Sequence, residues 1–321
     1  MTTPTETQAI VSLSLLAAFV DGDKHERERA EIKRIAEGLS QADGVHLPSL
    51  YQDVLMKRVT LADVAQRLES REARQLAYEM AVCVCDADGV QSVSEQAFLA
   101  QARTVLGLDA GAAAAFNREA EALAAAPLEA PAATPAPASP GTRADDPARD
   151  AALDAMILNA AITNGALELL PETLSTMAII PLQMRLVFNI GKAHGYELDR
   201  GHIKDFLATV GVGLTSQYLE QAGRKLLGGL LGKVGGGLLR GVGRQAVSSG
   251  MSFAATYALG HVAKRYYAGG RALSAQMLKD TYAGVVQQAQ GMQGHYLPAI
   301  EDKARTLDAG KVLAMVRGGG G

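Results

Sequence analysis

Residues 16–39 read LAAFVDGDKHERERAEIKRIAEGL, and residues 83–106 read CVCDADGVQSVSEQAFLAQARTVL. Set against each other at an offset of 67, Asp21-Gly22 falls on Asp88-Gly89, Glu28 on Glu95, Ile32 on Leu99 and Leu39 on Leu106. Each copy reads as an apolar helix, an Asp-Gly turn, a glutamate, and then an amphipathic helix with apolar residues at three- and four-residue steps. Two such units packed about a pseudo-two-fold axis would bring both acidic turns to one end of a helical bundle.

The same periodicity extends outward. Ile10, Leu13, Leu16, Ala17 and Val20 form one apolar stripe, and helices are expected at 30–39, 47–57, 61–68, 71–85, 95–106 and 110–125. No run alternates with period two, so the fold class is all-α. From Ala124 to Asp150 the chain reads AAAPLEAPAATPAPASPGTRADDPARD, whose prolines suit a tether and no regular element. This divides the chain into an acidic helical domain (1–123), an Ala/Pro-rich linker (124–150) and a basic, glycine-rich helical domain (151–321), with helices expected at 151–170, 182–193 and 200–210. The first domain has a formal charge of -7 and the last +6, a separation that fits different partners at the two ends. Cys83 and Cys85 form no C-x-x-C motif and read as small buried residues of a reducing compartment. Met1 to Gln8 lacks a basic n-region, so no secretory signal is expected and the cytoplasm is the expected location.

The acidic turns suit two roles. Asp86, Asp88, Gly89 and Glu95 sit where positions three, five, six and twelve of a calcium loop fall, but Val84 and Gln91 occupy positions one and eight, so the spacing is not that of a standard EF-hand. Hard cations want several oxygen ligands from a tight turn, which this segment offers. Asp-Gly is also a common turn, and Ser92 with Glu95 makes a capping box that satisfies backbone N–H groups with no metal.

Residues 10–123 resemble the TerB tellurite-resistance family through Ala18-Phe19-Val20-Asp21-Gly22 with Glu28, and Asp86-Ala87-Asp88-Gly89 with Glu95. That resemblance implies an all-helical domain holding a divalent metal cation between Asp21, Glu28, Asp88 and Glu95, with Asp86 beside them. Oxygen-only ligands favour Ca²⁺ or Mg²⁺ over Zn²⁺.

In the C-terminal domain, 221–279 holds nine Lys/Arg and no Asp or Glu. Gly228, Gly232 and Gly236 form a small-residue run of the kind that lets helix backbones approach closely. On a helix, Lys225, Lys233, Arg240 and Arg244 fall within roughly a 100° arc beside many leucines. A basic stripe of this kind suits an anionic lipid surface. Residues 246–263 carry no charged Asp, Glu, Lys or Arg and approach the minimum length for spanning, although serines make them only mildly apolar. Ile180-Pro181-Leu182-Gln183, Gly191 to Leu198 and Ile203-Lys204-Asp205 resemble a YcjF-like domain of unknown function that follows GTPase domains. The resemblance implies the inner membrane or a membrane GTPase as partner. The chain has no Walker A loop of its own, and its basic residues are too sparse in aromatic company for nucleic acid.

No G-x-S-x-G elbow, H-E-x-x-H or Cys–His arrangement is present. The expectation is a non-enzymatic tellurite- or envelope-stress-response protein, cytoplasmic and peripheral at the inner membrane. Its alternative is a metal-free interaction scaffold or the effector of a membrane-associated GTPase.

Overall fold

The computed structural model describes residues 3–20, 47–86, 91–126, 128, 147–170, 173–212 and 242–316. Among them every regular element is a helix. The described residues fall into two compact units, one running from the N-terminus through Ala125 and the other made of Ala126–Val212 and the chain from Gly243 onward.

The first unit is built from α1 (Pro4–Ala18), α2 (Leu47–Leu55), α3 (Leu61–Arg67), α4 (Arg71–Cys85), α5 (Val93–Val105) and α6 (Ala110–Ala124). Their starts are written in cap residues. Thr3, Thr60, Ser70, Ser92 and Asp109 each accept a backbone N–H three residues on, satisfying donors that a helix start leaves open. α1 is buried on nearly all sides, with Ala9, Ile10, Leu13 and Ala18 fully enclosed against α4, α3 and α2. Its two buried serines cost little, because Ser12 and Ser14 donate to the Gln8 and Ile10 carbonyls one turn back at 2.8 and 3.1 Å. Tyr78 of α4 and Asn117 of α6 exchange hydrogen bonds at 2.9 and 3.2 Å, tying those helices together.

The second unit contains α7 (Pro147–Leu169), α8 (Thr173–Met177), α9 (Ile179–Ala193), α10 (Arg200–Val210), α11 (Val242–Ala268), α12 (Ala275–Thr306) and α13 (Ala309–Val316). α7 opens at Pro147, four residues before the start expected from the sequence. α11 lies antiparallel to α7. Thr256 meets Asn164, Gly260 meets Ile157, and Lys264 bonds Asp154 at 2.7 Å, so the contacts descend α7 as they ascend α11. A Cβ on Gly260 would stand 2.7 Å from the Ile157 side chain, so only glycine permits this approach. The core is apolar around Phe253, Ala254, Ala161 and Ile300, but a polar layer crosses it. Thr256 Oγ1 accepts from Asn164 Nδ2 at 3.0 Å and from Gln183 Nε2 at 2.9 Å, all three side chains being buried.

The α11 residues include the stretch 246–263. Phe253, Ala254, Ala258, Leu259, Val262 and Ala263 are buried within the second unit, and no helix of the described residues is long and apolar enough to cross a membrane. Spanning by 246–263 is therefore set aside: its apolar side chains pack on protein, and Ser252 and Thr256 lie buried among them.

Candidate metal centre

The two acidic turns are approached by a matched pair of helices. α1 spans Pro4–Ala18 and α4 spans Arg71–Cys85, so at the offset of 67 they superimpose residue for residue, with Thr3 falling on Ser70 as N-cap. The internal echo thus reaches well upstream of the stretch in which the sequence displays it. Glu6 pins the pair. Its Oε1 accepts from the Ser70 N–H at 2.9 Å and from the Ser70 hydroxyl at 2.7 Å, and its Oε2 accepts from the Thr3 N–H at 2.9 Å. Burial opposes ionisation of Glu6, but these hydrogen bonds outweigh it and draw the pKa from 4.5 down to about 2.

Two fifteen-residue helices, each roughly 22 Å long, that touch at their N-termini and pack side by side must run parallel. Their C-terminal ends, at Phe19 and Asp86, therefore lie at the same end of the unit. The structure describes the first segment as far as Val20, one residue short of Asp21. Phe19 is held there by an edge-on contact with Tyr51 of α2, centroids 5.7 Å apart.

On the second turn Asp86 caps α4 and is buried, as is Glu95 in the first turn of α5. Gln91 Nε2 donates to Asp86 Oδ1 at 2.9 Å. The capping box is formed: Ser92 Oγ accepts from the Glu95 N–H at 3.1 Å, and Glu95 Oε2 accepts from the Ser92 N–H at 2.8 Å. Glu95 is therefore a helix cap in this structure. A carboxylate offers about four lone-pair sites, so a capping bond on one oxygen is compatible with a cation on the other. Among the described residues no group of three or more His, Cys, Asp or Glu is spaced to hold a metal. Asp21, Glu28 and Asp88, the other candidates, lie outside the described residues.

Gln91 is the residue whose role the sequence did not announce. Its place in a calcium-loop count marks it as a departure, whereas here it holds Asp86 across the turn. Glu6 was equally hidden, since its partner is 64 residues away.

In the second unit, Ile180-Pro181-Leu182-Gln183 lies in α9, and Gly191 to Leu198 closes that helix and leads to the Asp199 cap of α10. Lys225, Lys233 and Arg240 lie outside the described residues, as does the glycine run 228–236; Arg244 falls within α11, its side chain outside the description.

Residues 7–118 match the family model for tellurite resistance protein TerB. The matched stretch covers both copies of the acidic turn and α1 through most of α6. No curated protein matches the chain. No solved structure matches it either.

Proposed function

We propose that this chain is a non-enzymatic protein of the tellurite or envelope-stress response. In this reading the N-terminal unit holds one Ca²⁺ or Mg²⁺ between its paired acidic turns. The basic C-terminal unit docks on the cytoplasmic side of the inner membrane or on a membrane-bound partner such as a GTPase. The observation that supports the first part is the parallel pairing of α1 and α4, which brings Phe19 and Asp86, the residues at their C-terminal ends, to one end of the unit, together with the TerB match over the same residues. Asp21, Glu28, Asp88 and Glu95 would supply the oxygens, with Asp86 beside them. Metal occupancy would then alter the charge and rigidity of that end of the unit and so change what it binds.

A second reading is favoured by a specific observation. Glu95 and Asp86 already serve as a cap and a turn brace, which is what a metal-free interaction scaffold needs. Thermal melting of the full chain in chelator and then in excess Ca²⁺ or Mg²⁺ separates the two. A cation that binds the folded state raises the melting temperature, by about 2.7 kcal/mol of stability at a hundredfold excess over Kd; an unchanged curve selects the scaffold. Flotation of the full chain with anionic against neutral vesicles tests the second part. Recovery with anionic vesicles only is the expected result, and recovery with neither removes the lipid partner.

A further inference from the structure

The second unit contains a cleft of about 90 Å³ where one face of α10 meets the end of α11 and the first turn of α12. Its floor is apolar: Phe206, Tyr267 and Leu278 are almost fully enclosed. The aromatic rings stand close without stacking flat, Phe206 lying 5.2 Å from Tyr266 and 6.0 Å from Tyr267. Gly191 makes this possible, because a Cβ there would stand about 3 Å from the Tyr267 ring.

Arg271 stands at the mouth. The turn after α11 contains Gly269 and Gly270, yet the residue that follows them in the left-handed region, at φ +64, is this arginine. That backbone crowds a side chain and favours glycine. The Arg271 N–H is tied to the Tyr266 carbonyl at 2.8 Å. Its guanidinium lies 5.8 Å from the Tyr196 ring centre and is hydrogen-bonded to the Tyr266 hydroxyl. The side chain is exposed and makes no ion pair among the described residues. A guanidinium with one face on a ring keeps an edge of N–H donors directed outward, the fork that matches a carboxylate.

We propose that this cleft binds a small carboxylate carrying a single ring, the ring against Phe206 and Tyr266 and the carboxylate on Arg271. The size sets the class: an open cleft of about 90 Å³, smaller than the ~150 Å³ that encloses a benzene ring, seats one ring part-way and excludes a drug-sized ligand. The charge sets the sign: Arg271 at the mouth directs its donors to a carboxylate, while Asp205 on the α10 wall is the competing acidic group that an amine probe reads. The inference is independent of the acidic turns in the other unit.

The test uses the full chain and three probes that share a benzyl group, followed by ligand-observed NMR: phenylacetate, benzyl alcohol and benzylamine. Phenylacetate binds with a Kd of roughly 1 mM, the others at least several-fold more weakly. Arg271→Gly removes the guanidinium and relieves the backbone, so it abolishes phenylacetate binding while the melting temperature stays level or rises. A purely structural arginine gives the opposite, a fall in melting temperature. That fall, benzylamine binding as tightly as phenylacetate, or no phenylacetate binding at about ten times 1 mM, overturns the proposal.

Discussion

Replacing Glu6 by glutamine keeps the size of the side chain and removes its charge. In the folded protein this carboxylate is almost fully enclosed and takes hydrogen bonds from Thr3 and Ser70. Its pKa falls from 4.5 to about 2. At about 1.4 kcal/mol for each pK unit, the ionised form is favoured by at most about 3 kcal/mol, shared between the Thr3 cap of α1 and the link to Ser70 of α4. The folded pKa is depressed, so this stabilisation is complete above pH 4.5 and is lost as the pH falls from there toward 2. Glu6→Gln should therefore weaken the pair by about 2–3 kcal/mol at pH 7 and by far less near pH 2, where the parent is itself protonated. Hydrogen exchange of α1 and α4 amides in the full chain, compared at pH 7 and in acid after correction for intrinsic rates, reads this unit by itself. A cost that is the same at both pH values, or under about 0.5 kcal/mol at pH 7, would refute the reasoning.

In the second unit, Thr256→Val removes the acceptor used by two buried amides, Asn164 and Gln183, and should cost about 2–4 kcal/mol in urea unfolding, while Thr256→Ser should cost less than half as much. Gly260→Ala drives a methyl group to within 2.8 Å of both Ile157 γ-carbons and should cost about 1–3 kcal/mol, visible as a lower melting temperature of the second unit. Burial holds the His261 pKa below 6.5 despite Asp154, with Lys264 and Arg265 adding to the depression. Because its neutral form is favoured in the fold, stability should be full above pH 6.5 and decline as the pH falls below it. His261→Asn should reduce the drop in melting temperature between pH 7.5 and 5.5.

The helices of the N-terminal unit were legible through their three- and four-residue apolar steps, and the structure adds cap residues at their starts. Ser70 and Asp109 lie at α4 and α6, and α4 begins and ends where the periodicity puts it. The echo was legible only around the turns, where Asp-Gly and Glu repeat. Upstream, α1 is buried on nearly all sides and α4 is amphipathic, so their side chains differ; their one-to-one correspondence emerges from helix bounds and caps. The start of α1 at Pro4 was hidden by a polar opening stretch in which Thr3 and Glu6 read as solvated, although Glu6 is buried. α12 was not legible because Gly284, Gly291, Gly294 and an internal Pro298 interrupt a sequence of low apolar content. Its helicity rests on packing against α7 along one side, through residues such as Ala289 and Ile300. The acidic site was legible as residue types, and the Ser92–Glu95 capping box from its spacing, but the Gln91 bond to Asp86 depends on side-chain geometry.

Isothermal titration of Ca²⁺ and Mg²⁺ into the metal-stripped full chain, beside an Asp21→Asn/Asp88→Asn double variant, addresses the paired turns most directly. The parent should take up a single cation per chain, and the double variant none while its circular dichroism stays helical. Equal uptake by both proteins, or no uptake by the parent, would contradict the account.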